Sequence, residues 1–310
     1  MTPVKQTKLL TFKNYFQELV DLSLKNNLPN KLLFSGNKGI GKSTFAYHLI
    51  NYFFSIDEDD SYNLKNNEIN INNKSYKLVL NNAHPNLLLI DSQDKKFIEI
   101  SKIRDILNFS SKTSFSSKKK IILIDNVEKL NINASNSLLK ILEEPSTNLF
   151  FILIHSSPEK IMSTISSRCI KFNFFLTESE KELIINNVLD NNFYNNLSND
   201  FKIKYMTPKF YIDLQNFINK EKIDLNDLNI NFLLNHIFNK RNYLKNDFII
   251  GNLQILIEIY FYNKILKRNN FENDYKFFKQ TINKINDMNK FNLDKDSSLL
   301  EIKNIIVNER

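Results

Sequence analysis

Residues 36–43 read Gly36-Asn37-Lys38-Gly39-Ile40-Gly41-Lys42-Ser43, and they hold three of the four glycines in a chain of 310 residues. The spacing matches the phosphate-binding pattern G-x-x-x-x-G-K-[ST]. Glycine adopts backbone angles that are closed to other residues and lets a backbone approach a ligand closely. A loop that wraps a triphosphate needs both properties, so this stretch predicts a nucleotide phosphate site.

The sequence on either side of the loop predicts the strand-loop-helix order that this motif requires. Lys31 to Ser35 form a short apolar run typical of a buried strand, and apolar residues recur at helical spacing from Phe45 to Phe54. The loop N–H groups and the helix N-terminus would face the phosphates. Lys42 would neutralise the β- and γ-phosphates, and Ser43 would hold Mg²⁺. We expect ATP with Mg²⁺ to bind through Gly36, Asn37, Lys38, Gly39, Ile40, Gly41, Lys42, Ser43 and Thr44.

A second apolar run, Ile121 to Ile124, ends in the carboxylate of Asp125. A phosphate-loop protein needs such an acid to hold Mg²⁺ opposite the loop, so we assign Asp125 to nucleotide and metal binding. In many ATPases of this shape the next residue is a glutamate that polarises the attacking water. Here it is Asn126, which cannot take a proton, and Glu128 is nearby but not at that position. The pattern indicates ATP binding with weak or absent hydrolysis.

Strands alternate with helices up to about Phe174, which predicts a parallel sheet covered by helices on both faces. Further strands are predicted at Leu87–Ile90, Ile121–Ile124 and Phe150–Ile154, and helices at Ile100–Phe109 and Ala134–Leu142. The polar stretch 57–82 is interpreted as a loop or hairpin insertion of low functional content.

Beyond Leu176 the strand signal fades and apolar helical patterns take over, most clearly at Leu228–Arg241, Phe248–Arg268 and Tyr275–Asn286. We therefore expect an α/β nucleotide-binding domain over residues 1–174, a helical lid over 175–225 and an all-α C-terminal domain over 226–310.

Composition limits the cellular setting. The net charge of +8 permits contact with nucleic acid. The general richness of the chain in lysine accounts for this charge about as well as a nucleic-acid-binding role does. The single cysteine, Cys169, excludes an internal disulfide and favours a reducing compartment. The N-terminus lacks a signal-peptide pattern, and polar residues interrupt the most apolar run, 248–266. We expect a cytoplasmic protein without a membrane segment.

Three further segments carry candidate functional residues: Asn136 to Pro145, the strand end at His155-Ser156, and Ser167-Arg168-Cys169. Arginine is rare in this lysine-biased chain, so Arg168 is a candidate for bidentate phosphate contact, which lysine provides poorly. Taken in order with the loop, His84-Pro85-Asn86, Ile103-Arg104 and Asp125, these segments resemble the clamp-loader branch of the AAA+ ATPases. Within that branch they are most similar to the delta-prime family of bacterial DNA polymerase III. The resemblance covers roughly residues 8 to 175.

The resemblance implies a subunit of a ring that opens the sliding clamp and places it on primed DNA. The partners would be the gamma/tau and delta subunits, the clamp and, through the complex, DNA. By the same resemblance Arg168 would act in trans as an arginine finger on a neighbour's ATP. Ser156 would be the nucleotide sensor, with His155 second to it, and the C-terminal helices would form a collar. Since the chain lacks the cysteines that hold zinc in some relatives, no zinc module is expected.

Three alternatives remain from the sequence. A catalytic gamma/tau-like subunit would carry glutamate at position 126. A helicase-loading or other free-standing AAA+ ATPase would carry the same glutamate and would lack the Ser-Arg-Cys segment. A nucleotide kinase would need several arginines in its lid. No polymerase site is predicted, and Asn126 indicates weak or absent intrinsic ATPase activity.

Overall fold

A computed structural model of the chain describes residues 2–92, 97–111, 119–143, 149–189, 193–239, 246–267, 271–291 and 293–308. The chain divides into two compact units, Met1–Ile184 and Ile185–Arg310. The first is mixed α/β, and the described part of the second is helical.

Five parallel strands form one sheet in the first unit. They are β1 Lys31–Asn37, β2 Leu87–Ile90, β3 Lys120–Ile124, β4 Leu149–Ser157 and β5 Ile170–Asn173. Their order across the sheet is β2-β3-β4-β1-β5. Strand β4 pairs with β1 on one side and with β3 on the other. The segments that leave the carboxyl ends of β1, β3 and β4 therefore meet at one edge of the sheet, which is where open α/β sheets bind ligands.

Helices cover both faces of this sheet, as the sequence predicts. The helices that begin in the first unit are α1 Lys13–Leu24, α2 Lys42–Ser55, α3 Lys74–Leu80, α4 Ile100–Ser111, α5 Ile132–Glu143, α6 Ser163–Ser166 and α7 Glu178–Val188. Successive strand side chains point to opposite faces. Leu32 and Phe34 of β1 pack into the core that α1 and α2 share, whereas Leu33 packs into the core of α4 and α5. The central strands are buried on both faces, so they read as continuous apolar runs.

The insertion at 57–82 folds against α2 and contains a helix, so its interpretation as a loop or hairpin was wrong. It includes α3, and the Glu58 carboxylate accepts the backbone N–H groups of Lys74 and Ser75 in the first turn of this helix. Four apolar or aromatic side chains of the insertion are buried in the core of α1 and α2: Tyr62, Ile69, Tyr76 and Val79. Polar residues dominate the composition of the segment as a whole, so its average polarity does not reveal these buried positions.

The second unit packs its described helices around one apolar core. They are α8 Phe193–Asn196, α9 Pro208–Glu221, α10 Ile230–Asn239, α11 Asp247–Lys267, α12 Phe271–Phe291 and α13 Lys295–Asn308. The three helices predicted from periodicity are present as α10, α11 and α12, although Arg241 and Arg268 lie outside the described residues. The division of this region into a lid and a collar at residue 225 stays a prediction.

In the part of the chain that the structure describes, no helix is both long enough and apolar enough to cross a membrane.

Candidate nucleotide site

The loop after β1 has the backbone geometry that a phosphate site requires. Gly41 has a φ of 103° and immediately precedes α2, so the helix N-terminus opens directly from the loop. Gly36 is needed for a different reason, because a Cβ atom at this position would lie 2.2 Å from the carbonyl oxygen of Phe174. Glycine at both positions therefore lets the chain leave the sheet sharply and turn into the helix.

Lys42 is the first residue of α2, and its ammonium group points back into the loop. Its Nζ donates hydrogen bonds of 2.7 Å to the carbonyl oxygens of both Gly36 and Asn37. Burial lowers the pKa of Lys42 to about 8, while the charges of Asp125 and Glu128 act in the opposite direction. A desolvated cation enclosed by loop carbonyls gains from an anionic partner, which fits the phosphate-binding role predicted for Lys42.

Ser43 and Asp125 meet across the gap between α2 and the end of β3. The Ser43 hydroxyl donates a 2.9 Å hydrogen bond to Oδ2 of Asp125. Burial raises the pKa of Asp125, and the hydrogen bonds from Ser43 and from the Asn126 backbone and the charge of Lys42 partly oppose it. A hydroxyl and a carboxylate in contact are oxygen ligands of the kind that Mg²⁺ takes beside nucleotide phosphates. The pair therefore fits a metal held between the acid and the loop.

The other predicted loop residues divide by exposure. Asn37 and Lys38 are exposed at the outer side of the loop, Ile40 is buried beneath it, and Gly39 and Thr44 are half-buried. The side chains of the exposed residues Asn37 and Lys38 extend into solvent. A phosphate site would therefore use the backbone N–H groups of these two residues, which have fixed positions.

The end of β4 lies beside the loop, with Ser156 paired to Gly36 in the parallel register of β1 and β4. The backbone N–H of Ser156 donates a 3.1 Å hydrogen bond to Oε2 of Glu128. The neighbouring His155 ring is bonded on both sides, to Ser35 Oγ at 2.9 Å and to the carbonyl oxygen of Glu159 at 2.7 Å. His155 thus connects β4 to β1, and the sensor role of Ser156 stays a prediction.

Arg168 lies away from the loop, before the first residue of β5. Its guanidinium contacts Glu143 at the end of α5, at 2.5 Å, and donates a 3.0 Å hydrogen bond to the carbonyl oxygen of Thr164. Ile170 pairs with Leu32 of β1, and Gly36 is four residues further along that strand. At the rise of a parallel strand this is about 13 Å, and Arg168 precedes Ile170. The structure therefore brings the loop, Asp125 and Ser156 together but leaves Arg168 towards the opposite end of the sheet.

Two carboxylates near these residues were not assigned a role from sequence. Glu128 was noted only because it does not stand directly after Asp125, and its hydrogen bond to Ser156 depends on the turn that begins at Asn126. Glu143 belongs to the Asn136 to Pro145 segment, and its contact with Arg168 joins residues 25 positions apart. Pro145 lies outside the described residues. Within the described ranges no group of three or more His, Cys, Asp or Glu side chains could hold a metal ion by itself.

The parallel sheet, its strand order and the loop-helix junction place the first unit in the AAA+ class of phosphate-loop folds. A DNA polymerase III gamma subunit-related protein from Thermotoga maritima, solved by crystallography, has a TM-score of 0.50 to this chain. The likeness covers 93% of this chain and 97% of that one at 14% identity, so it shows the fold alone. Residues 12–177, more than half of the chain, match the family model described as "DNA polymerase III, delta subunit". The chain belongs to that family.

Curated relatives agree with this assignment. DNA polymerase III subunit delta' of Bacillus subtilis is 33% identical over 145 residues, which is 47% of this chain and 42% of the relative. DNA polymerase III subunit tau of the same organism is 34% identical over 169 residues, which is 51% of this chain and 28% of the relative. The matches cover between 30% and 47% of the length of the first three delta-prime relatives.

Proposed function

We propose that this chain is a delta-prime-like subunit of a DNA polymerase III clamp loader, which helps to place the sliding clamp on primed DNA during replication. Its neighbours would be gamma/tau and delta subunits, and it would act in the cytoplasm. The assignment is supported by the family match and by delta-prime relatives at 28–33% identity. The lid over 175–225 and the collar over 226–310 belong to this proposal.

The nucleotide site is proposed to bind ATP with Mg²⁺ and to hydrolyse it weakly or not at all. Lys42 would contact the β- and γ-phosphates, and Ser43 with Asp125 would hold the metal. The contacts of Lys42 with loop carbonyls and the Ser43–Asp125 hydrogen bond support this arrangement. Asn126 supports weak hydrolysis, because its amide cannot accept a proton as a glutamate at that position would.

The observation that carries the ring function is the location of Arg168 at the end of the sheet away from its own loop. A guanidinium there is too far from the chain's own γ-phosphate position to stabilise it. It is partly exposed, with 35% of its side-chain surface accessible, and is therefore able to meet the nucleotide of an adjoining subunit. Arginine supplied in trans stabilises the charge that develops during phosphoryl transfer, an effect of about 10³- to 10⁵-fold on turnover.

The test is ATP turnover by the complex assembled with gamma/tau and delta subunits, comparing wild type with Arg168→Ala. Turnover at the neighbouring site should fall by roughly 10³-fold, whereas ATP binding by this chain should be unchanged. Lys171→Ala, which removes an exposed positive charge from β5, is the matched control and should behave as wild type. Equal turnover of the Arg168→Ala and wild-type complexes would refute the trans role.

A gamma/tau-like catalytic ATPase is the alternative, and the match to a tau subunit favours keeping it. Rapid turnover by the isolated chain would support that alternative over the delta-prime-like role.

A further inference from the structure

The turn after β3 returns a carboxylate to the nucleotide site. Asn126 has left-handed backbone angles (φ 60°, ψ 56°) and begins a single 3₁₀ turn, Val127–Lys129. Left-handed backbone is tolerated by asparagine better than by most residues. The reversal carries Glu128, two residues further on, back over the strand ends rather than away from them.

The position of the Glu128 carboxylate follows from one hydrogen bond and one strand register. Its Oε2 accepts the backbone N–H of Ser156 at 3.1 Å. Ser156 is paired with Gly36, the first residue of the phosphate loop, and neighbouring strands lie about 4.8 Å apart. The N–H of Phe151 points to β1, so the N–H of Ser156, five residues further along β4, points to the β3 side. The Glu128 carboxylate therefore lies at the carboxyl edge of the sheet on the β3 side of β4, one strand away from the point where the loop begins.

The electrostatic neighbourhood agrees with this location. The pKa of Lys42 is lowered mainly by burial, and the charges of Asp125 and then Glu128 raise it. The pKa of Asp125 is raised mainly by burial, and Glu128 adds to the rise. Glu128 is thus close enough to influence both groups that are proposed to contact the phosphates and the metal.

We propose that Glu128 orients the water that attacks the γ-phosphate of bound ATP and accepts its proton, in place of the residue at position 126. This inference rests on the nucleotide site proposed above. The water oxygen forms a bond to the γ-phosphorus while the bond to the β–γ bridging oxygen breaks, giving ADP and phosphate. The water proton passes to the Glu128 carboxylate and from there to the released phosphate or to solvent.

A purely structural role for Glu128, as a tie between the turn and β4, makes different predictions. Glutamine retains an oxygen that accepts the Ser156 N–H, so Glu128→Gln keeps the tie and removes only the charge and the basicity. Glu128→Ala removes the tie as well. If Glu128 is only a structural tie, turnover should fall in the alanine variant alone. If Glu128 activates the water, turnover should fall in both variants.

The experiment measures the affinities of the full chain for ATP and ADP with Mg²⁺, and ATP turnover under the same conditions. The proteins are wild type, Glu128→Gln, Glu128→Ala and Lys42→Ala, with Glu159→Gln as the matched control. Glu159 is an exposed acid just after β4, and its substitution removes the same charge from the same edge of the sheet.

We expect Glu128→Gln to bind ATP about three- to tenfold more tightly, because a negative charge beside the γ-phosphate is removed. Its ADP affinity should stay within about twofold, since ADP lacks that phosphate. ATP turnover should fall about 100-fold or more in both Glu128 variants, which is the usual effect of losing a general base. If the turnover of Lys42→Ala lies within about 100-fold of wild type, the Glu128 variants should fall to that level. Glu159→Gln should match wild type in all three measurements.

Two results would overturn the role of Glu128 while leaving the nucleotide site intact. One is an unchanged ATP-to-ADP affinity ratio and unchanged turnover in Glu128→Gln. The other is wild-type turnover no faster than that of Lys42→Ala. Failure of wild type to bind either nucleotide would instead remove the proposed nucleotide site, and the inference with it.

Discussion

His48 gives the first unit a predicted sensitivity to acid. It is a fully buried residue of α2, and its ring is bonded at both nitrogens. Nε2 donates to the carbonyl oxygen of Gln6 at 3.1 Å, and Nδ1, at 2.9 Å, accepts the Tyr62 hydroxyl. We assign the hydrogen to Nε2 because a carbonyl can only accept. Burial lowers the pKa of His48 from 6.5 to about 4, and the Gln6 hydrogen bond opposes the shift only in part.

The sign and size of the effect follow from proton linkage. Between pH 6.5 and 4 the unfolded chain binds a proton at His48 that the folded chain does not bind, so acid favours unfolding. Stability is therefore complete above the unfolded pKa and declines as the pH falls below it. From pH 7 to pH 5 the free energy of unfolding should fall by about 2 kcal/mol through this residue alone.

Hydrogen exchange of the α2 amides, measured from pH 7 to pH 5 and corrected for intrinsic rates, reports opening of the first unit. His48→Gln should be less stable than wild type at pH 7, because a buried, doubly bonded ring is lost, but should lack the drop of about 2 kcal/mol towards pH 5. His236→Gln, in the second unit, should keep the wild-type pH dependence of α2. Parallel pH curves for wild type and His48→Gln would refute the reasoning.

Three further substitutions test the packing and the site. Gly36→Ala places a Cβ atom 2.2 Å from the Phe174 carbonyl, so denaturant unfolding should show a loss of about 1–3 kcal/mol. Lys42→Ala should weaken ATP binding by about 10- to 100-fold, the usual effect of losing a charged hydrogen bond, as titration would measure. Lys264→Met leaves the buried Asp274, its partner at 3.1 Å, without its counter-ion, and thermal unfolding should reveal about 3–5 kcal/mol of destabilisation. Adding Asp274→Asn should restore part of that loss.

The elements that sequence patterns predicted well are those with strong local signals. The strand predicted at Leu87–Ile90 is observed with those bounds. The loop and α2 also follow the predicted order, because glycine placement and helical periodicity are local properties. Strand β5 was not predicted, since only one of its four residues is buried. An edge strand of this kind is defined by its pairing with β1 rather than by an apolar run of its own.

The parts of the site that sequence reasoning missed depend on contacts between distant residues. Glu128 reaches the site because Asn126 adopts left-handed angles and because the backbone of Ser156 offers a donor. His48 is fully buried because the insertion supplies Tyr62, whose hydroxyl contacts the ring. Neither pairing leaves a spacing pattern that could be recognised along the chain.

The separation of the two ends of the sheet makes the two proposed activities of this chain independent of each other. Lys42 acts at the carboxyl edge, whereas Arg168 lies before the first residue of β5 and is held there by Glu143. Substitutions at one end remove no contact at the other, and effects of such distant sites usually add. Loss of nucleotide binding through Lys42→Ala should therefore leave Arg168 able to serve a neighbour. Under both proposals, a subunit whose own hydrolysis is slow can in this way still be required for hydrolysis at a neighbouring site in the ring.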